Sequence, residues 1–183
     1  MHRRNIFIIV IIILITLSLL IEGCKKKTHP EPNRYYNKKY NFSIKFPEDW
    51  EIYEGQSEDE PAVEAVSPWE SDSDMFSEFI DIYVDELPGW KGLDDYYREI
   101  SINSRNELAH YQEEDSGTIT IDNTDVKWTL FSYTVAEGEM QALAYLMIKD
   151  DHAFIISCNT EPHKYQMYKE NFENSAISFK FEQ

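Results

Sequence analysis

The second half of the chain contains four apolar-rich runs that are separated by breaks of only two or three residues. Such short breaks leave no room for a crossover connection, so consecutive runs must pair as antiparallel strands. The sequence therefore predicts a four-stranded antiparallel meander, whose strands are residues 116–122, 126–136, 140–149 and 152–159.

The third of these runs, residues 140–149, is apolar on both of its faces. One face carries Met140, Ala142, Ala144, Leu146 and Ile148, and the other carries Leu143, Tyr145 and Met147. A strand that is covered on both sides has this composition. We therefore expect residues 140–149 to lie in the centre of a sheet.

Residues 40–53 contain an apolar–polar alternation that is interrupted at Pro47 and then resumes. Residues 40–46 alternate apolar and polar side chains, which is typical of a strand with one buried face. Pro47 ends this run, because proline has no amide hydrogen to donate to a sheet. Trp50 and Ile52 then resume the pattern, which predicts a hairpin between residues 40–46 and 50–53. Further strands are predicted over residues 62–67, 78–87 and 177–182.

Two segments have the features of helices. Apolar residues recur at helical spacing from Leu93, with acids in the first turn, which predicts a helix over residues 93–109. Thr160-Glu161-Pro162 combines a capping hydroxyl with an early proline, which predicts the start of a second helix there. The expected fold class is therefore α+β, with an antiparallel sheet flanked by helices in an α/β/α sandwich.

The N-terminal segment has the features of an export signal. His2, Arg3 and Arg4 precede an apolar run over residues 6–21, which is shorter than the roughly 20 residues that a spanning helix needs. A short apolar run behind a basic start is typical of a signal peptide. An uncleaved membrane anchor is the alternative, and both interpretations place the rest of the chain outside the cytoplasm.

The residues after this run resemble the lipobox of bacterial lipoproteins, in which a small residue precedes a cysteine that is acylated and becomes the mature N-terminus. The matching stretch is Leu20-Ile21-Glu22-Gly23-Cys24, where Glu22 departs from the usual small or apolar residue. The resemblance implies a fatty-acylated Cys24 that anchors the protein to the membrane. The predicted organisation is a lipoprotein signal peptide over residues 1–23, a polar tether over 24–39 and one domain over 40–183.

Charge is distributed unevenly between the tether and the domain. Residues 25–39 are basic, and lysines beside a membrane favour anionic headgroups. From residue 40 onward the chain has 9 lysine and arginine residues against 32 aspartate and glutamate residues. Nucleic-acid binding is excluded on this basis, because phosphate contacts need a basic surface.

The domain also resembles the PsbP-like superfamily, through FSIKFPEDW (42–50), the central helix, the meander and a last helix followed by SFKF (178–181). That superfamily includes the PsbP subunit of photosystem II, a Ran-binding nuclear import factor and many small prokaryotic lipoproteins. The resemblance implies an α/β/α sandwich over residues 40–182 and members that bind protein partners or, in some cases, metal ions. It carries no shared catalytic residues.

Sequence motifs of enzymes are absent. The chain has no phosphate-binding loop, nucleophile elbow or His-Glu-x-x-His helix. Cys158 lies on the same predicted strand face as Phe154 and Ile156, which favours a buried apolar role over a nucleophile. We therefore expect no enzymatic activity and no cofactor.

Two kinds of binding site stay open. Trp69, Tyr83 and Trp90 are the candidate partner surface, since aromatic residues in loops or on an exposed strand face are enriched at interfaces, although loop tryptophans also cap cores. Asp81 and Asp85 flank Tyr83 on its strand face. The alternative is a metal or small-ligand site in the acidic stretch Glu70–Glu78, which lacks the spacing of a calcium-binding EF-hand. The sequence thus predicts a lipid-anchored extracytoplasmic protein that binds an envelope protein partner.

Overall fold

The computed structural model describes residues 31, 33–57, 60–71 and 76–182. The chain divides into two compact units, Met1–Pro32 and Asn33–Gln183. The signal segment, Cys24 and the tether up to residue 30 lie outside the described residues, as do Asp72 and Asp74 of the acidic stretch. The fold is therefore that of the second unit.

Seven antiparallel strands form the larger of two sheets, in the order β3-β4-β5-β9-β8-β7-β6. Their bounds are β3 Glu51–Tyr53, β4 Val63–Val66, β5 Phe79–Glu86, β6 Ala109–Ile121, β7 Thr124–Val135, β8 Gly138–Lys149 and β9 His152–Thr160. The predicted meander is confirmed, because β6 to β9 pair in succession. The central position predicted for residues 140–149 is also confirmed, since β8 lies between β7 and β9.

Tight turns enforce the meander. Asp122 and Asn123 join β6 to β7 with φ angles of 47° and 59°. Two consecutive residues with positive φ form the hairpin turn whose twist matches that of paired strands, and Asp and Asn tolerate this conformation. Asp150, with φ of 53°, has the same role between β8 and β9.

A second, three-stranded sheet has the order β1-β2-β10, with β1 Arg34–Asn37, β2 Phe42–Lys45 and β10 Lys180–Phe181. The predicted hairpin between residues 40–46 and 50–53 is wrong, because β2 pairs with β1 and β10 while β3 pairs with β4. Pro47 and the turn after it carry the chain from one sheet to the other. The predicted tether is also too long at its end, since Arg34–Asn37 belongs to the small sheet.

The large sheet is covered on both faces. One face packs against the small sheet and helix α2 (Tyr165–Ile177), in a core whose largest fully buried side chains include Phe42, Phe172 and Phe179. The opposite face packs against helix α1 (Leu93–Glu107), through Tyr96 and its neighbours on β8 and β9. The predicted α+β class, with an antiparallel sheet and two helices, is confirmed. The simple helix–sheet–helix sandwich is modified, because α2 shares its side with a second sheet.

The prediction is close for the first helix and less accurate for the second. The period-based prediction of 93–109 differs from α1 only at its end. The second helix begins at Tyr165, later than the Thr160 start that was predicted, and its N-cap residue is Lys164. Thr160 is instead the last residue of β9, and its hydroxyl donates to Oε1 of Glu78 at 3.4 Å. Neither helix in the described part of the chain is long and apolar enough to cross a membrane.

Candidate functional site

Helix α1 covers only part of its face of the large sheet, and a groove runs along the boundary. α1 packs against β6 and β8, and side chains of β5, β7 and β9 line a cavity beside it. The groove has a volume of about 200 Å³. Its aromatic lining residues are Tyr83, Tyr97, Tyr111 and Phe131, and its polar lining residues include Lys127, Thr129 and Ser157. We call this feature the sheet groove.

A row of aromatic rings extends the sheet groove along the open face. The ring centroids of Tyr111 and Phe131 are 5.1 Å apart, and those of Phe131 and Tyr133 are 5.8 Å apart. The hydroxyl of Tyr133 donates to Oδ1 of Asn159 at 3.2 Å, and Nδ2 of Asn159 donates to Oγ of Ser157 at 3.0 Å. A hydrogen bond thus holds the half-buried ring of Tyr133 in place, and the row gives a surface that is both apolar and polar.

Beside the sheet groove lies a second cavity, of about 210 Å³, which we call the acidic pocket. Its lining residues are Tyr53, Glu54, Gly55, Glu60, Pro61, Glu64, Asp81 and Tyr83. Tyr83 lines both cavities, so they are adjacent. The described lining of the acidic pocket holds four carboxylates and no basic residue.

Asp81 is the one buried residue in the described lining of the acidic pocket. It is 5% exposed, and its Oδ1 has no hydrogen-bond partner among the described residues. Burial, and next the negative charge of Glu64 opposite it on β4, raise the pKa of Asp81 to about 7. Burial and the charge of Asp81 likewise raise the pKa of Tyr83 to about 12. A hydrogen bond with the side chain of Tyr83 partly offsets the rise at Asp81. A buried carboxylate with one unpaired oxygen still destabilises the fold unless something else binds to it.

The predicted partner residues do not form one patch. Trp69 follows β4 beside the beginning of β5, whereas Trp90 follows the end of β5. The eight residues of β5 span about 26 Å. Both tryptophans are exposed, at 65% and 77%, but at opposite ends of the sheet. Tyr83, 36% exposed, is the member of the three that lines the sheet groove.

Asp81 and Asp85, which flank Tyr83 in the sequence, have different environments. Asp85 accepts a hydrogen bond from the hydroxyl of Tyr96 on α1. That contact ties the end of β5 to the helix, where a cavity of about 590 Å³ opens between them. Asp85 is therefore used within the fold, and Asp81 is the residue of this pair that faces the acidic pocket.

In the described part of the acidic stretch that was considered for a metal site, the carboxylates pair with a lysine instead. The ammonium of Lys164 lies 3.4 Å from Oε2 of Glu70 and 3.3 Å from Oε1 of Glu78. An internal lysine thus neutralises two of the carboxylates that the metal hypothesis needs. No cluster of three or more metal-ligating side chains occurs among the described residues.

Cys158 is fully buried in the core, as the sequence predicted. Burial and the charge of Asp81 raise the pKa of its thiol well above the ordinary value. A thiol of this kind is a poor nucleophile, because the thiolate is the reactive form.

No family model matches the sequence, and no curated protein is significantly similar to it. Solved structures do resemble it. The solution structure of cyanobacterial PsbP, CyanoP, from Synechocystis sp. PCC 6803 superposes with a TM-score of 0.62 at 16% identity, over 86% of this chain and 96% of CyanoP. LpqN of Mycobacterium tuberculosis, involved in cell envelope biogenesis, gives a TM-score of 0.64 at 10% identity, over 82% and 90%.

A third similar structure is the Ran-binding protein Mog1p of Saccharomyces cerevisiae, with a TM-score of 0.51 at 12% identity, over 81% of this chain and 94% of Mog1p. Each likeness covers nearly the whole of the known chain. The chain therefore has the PsbP-like fold, as its sequence predicted. At these identities the likeness extends to the fold and to nothing finer.

Proposed function

We propose that this chain is a non-enzymatic protein-binding module held at the outer side of a membrane, and that the sheet groove is its binding surface. The observation that carries the proposal is the row formed by Tyr111, Phe131 and Tyr133 beside α1. Tyrosine gives a large contact area at a small loss of conformational entropy, and it is enriched at binding hot spots.

The size of the sheet groove favours a protein partner over a small molecule. Its volume of about 200 Å³ is below the roughly 300–1,000 Å³ of typical small-ligand sites. The groove is also continuous with open sheet surface, which suits the broad contact that two proteins make. The names of two similar proteins, the Ran-binding Mog1p and the envelope protein LpqN, support a binding role of this kind.

The location follows from the N-terminal sequence. A basic start, a short apolar run and Gly23-Cys24 support export, acylation of Cys24 and attachment to the membrane by lipid. The basic residues that follow would lie against anionic headgroups, and the acidic domain would stay away from them. An envelope protein is then the partner that the domain can reach.

A metal-binding or small-ligand lipoprotein is the alternative function. Its support is the strongly acidic character of the domain, and part of its predicted site, Asp72 and Asp74, lies outside the described residues. The contacts of Lys164 with Glu70 and Glu78 weigh against it.

Site-specific photocrosslinking in native membranes tests the proposal. A photoreactive phenylalanine analogue replaces Tyr133 in the full-length chain, and in the control it replaces Met167, an exposed residue of α2. We expect a discrete crosslinked protein at position 133 that is absent at 167. Equal crosslinking at both positions, or none at 133, would contradict the proposed surface.

A further inference from the structure

The acidic pocket has the chemistry of a receptor for a single basic side chain. Building on the proposed function, we propose that it binds an arginine side chain of the protein that occupies the sheet groove, with the carboxylate of Asp81 as the primary contact. The cavity, the charges around it and the unpartnered oxygen of Asp81 each point to this ligand.

The charge of the acidic pocket is the first argument. Glu54, Glu60, Glu64 and Asp81 line it, and no lysine, arginine or histidine is present in its described lining. Glu54 and Glu60 are held in place, because Oε1 of Glu54 accepts from the hydroxyl of Tyr35 at 2.9 Å and Oε2 of Glu60 accepts from the amide of Gln56 at 2.7 Å. Carboxylates that line one cavity without a cation give it a negative potential that attracts one from outside.

The unpaired oxygen of the buried Asp81 is the second argument. β5 lies between β4 and β9, where a buried aspartate is costly, and Oδ1 of Asp81 has no hydrogen-bond partner among the described residues. An apolar residue would be more stable at this position of the sheet. A guanidinium can donate to a carboxylate through two parallel N–H groups, so an arginine in the pocket would supply donors to Asp81.

The shape of the acidic pocket distinguishes an arginine from a metal ion. A cavity of about 210 Å³ is far larger than a divalent cation, and no three metal-ligating side chains converge in the described residues. Tyr53 and Tyr83 both line it, and a planar guanidinium stacks on aromatic rings. The geometry suits a flat organic cation that has a carbon stem.

The wall of the pocket next to Gly55 is closely packed. A Cβ added to Gly55 would lie 2.1 Å from the backbone oxygen of Pro61, so the two ends of the loop touch.

Tyr83 lies between this pocket and the sheet groove and lines both. A partner segment that lies in the groove can therefore insert one side chain into the pocket.

The test uses Nα-acetyl-arginine methylamide as the probe and the full-length, ¹⁵N-labelled chain in detergent micelles. Titration is followed by NMR at the backbone amides of Glu64, Asp81 and Tyr83. We expect saturable shifts at these amides, no such shifts with the neutral citrulline analogue, and binding that is at least tenfold weaker in Asp81→Asn. Glu137→Gln removes an exposed charge from the β7–β8 turn and should bind the probe as the wild type does.

Several outcomes would overturn the inference. Equal affinity of Asp81→Asn and wild type would remove Asp81 from the site, and displacement of the probe by equimolar calcium would assign the pocket to metal ions. Probe binding without a crosslinked protein at Tyr133 would overturn the protein source of the arginine, together with the proposed function. A crosslinked partner that Asp81→Asn does not weaken would leave the proposed function intact and exclude the arginine contact.

Discussion

The ammonium of Lys164 lies 3.3 Å from Oε1 of Glu78, and both side chains are withdrawn from solvent, with 9% and 0% exposed. Glu78 also accepts a hydrogen bond from Oγ of Ser67 at 2.9 Å, and the same oxygen of Ser67 accepts from the amide of Glu78. The ion pair connects the residue before α2 to the residue before β5. It therefore fixes how the second helix sits on the large sheet.

Replacing Lys164 by methionine should strongly destabilise the domain. The change leaves Glu78 as a buried charge without its cation, which typically costs about 3–5 kcal/mol. Chemical denaturation measures the loss. Lys169→Met is the matched control, because Lys169 pairs with Glu173 at 3.7 Å on the exposed side of α2 and should cost well under about 1 kcal/mol. The double variant Lys164→Met/Glu78→Leu should recover much of the stability, and failure to recover would contradict this account.

Asp81 should make the stability of the domain fall as the pH rises. Its pKa is about 7 in the folded state against an ordinary value of 3.8, so the folded protein binds the proton more tightly than the unfolded chain does. The stabilisation is complete below about pH 4 and is lost as the pH rises through 7. One pKa unit corresponds to about 1.4 kcal/mol, so the loss is on the order of 4 kcal/mol.

Asp81→Asn should remove this pH dependence and be more stable than the wild type at pH 8. The charged or titratable groups around Asp81 are Glu64, Tyr83, Tyr133 and Cys158, all of which the variant keeps. Urea denaturation between pH 4 and pH 8 measures the effect, with Glu137→Gln as a variant expected to keep the wild-type slope. Parallel profiles for Asp81→Asn and wild type would show that the carboxyl does not titrate as stated.

Gly117 should not tolerate a side chain. A Cβ at this position would lie 2.7 Å from Nε1 of Trp128 on the neighbouring strand, so the indole ring would have to move. Overpacking of this kind costs about 1–3 kcal/mol. Thermal unfolding of Gly117→Ala should show the loss, and Gly117→Ala/Trp128→Phe should restore part of it by removing the clashing atoms. If the double variant were no more stable than Gly117→Ala, the lost stability would not come from the contact with Trp128.

Cys24→Ser should release the protein from the membrane fraction if Cys24 carries the lipid. Serine has no sulfur atom to form the thioether bond that attaches the lipid. The export signal would therefore stay, but the lipid anchor would be lost. Fractionation and intact-mass measurement test this. Glu22→Ala restores the small residue usual in a lipobox and should be processed at least as well as the wild type. If Cys24→Ser remained in the membrane fraction, and the variant and the wild type both had the mass of the precursor, the N-terminal segment would be an uncleaved anchor.

The candidate site residues that the sequence could indicate were those whose character is local. Tyr83 lies between Asp81 and Asp85 on the acidic face of its strand, so its exposure was predictable. Phe131 and Tyr133 alternate with Trp128 and Leu130, which places aromatics on both faces of one strand and is the pattern that indicates the aromatic row. The burial of Asp81 could not be found in this way, because it depends on Glu64 and Ser157 opposite it on β4 and β9.

Local patterns in the sequence were enough to define the four-stranded meander and the first helix. Alternation defines strands, helical spacing defined α1, and turns as short as Asp122-Asn123 leave antiparallel pairing as the only connection. These are local properties, which depend on residues close together in the chain. The likeness of residues 42–50 and 178–181 to PsbP-like domains then gave the fold.

Which distant segments of the chain meet is visible only in the folded protein. It pairs β2 with β10 across most of the chain, joins Lys164 to Glu78, and places Trp69 and Trp90 at opposite ends of one sheet. It also brings Tyr53 and Tyr83 to one acidic pocket. Long-range pairing is set by which surfaces bury the most apolar area together, and no local pattern encodes that choice.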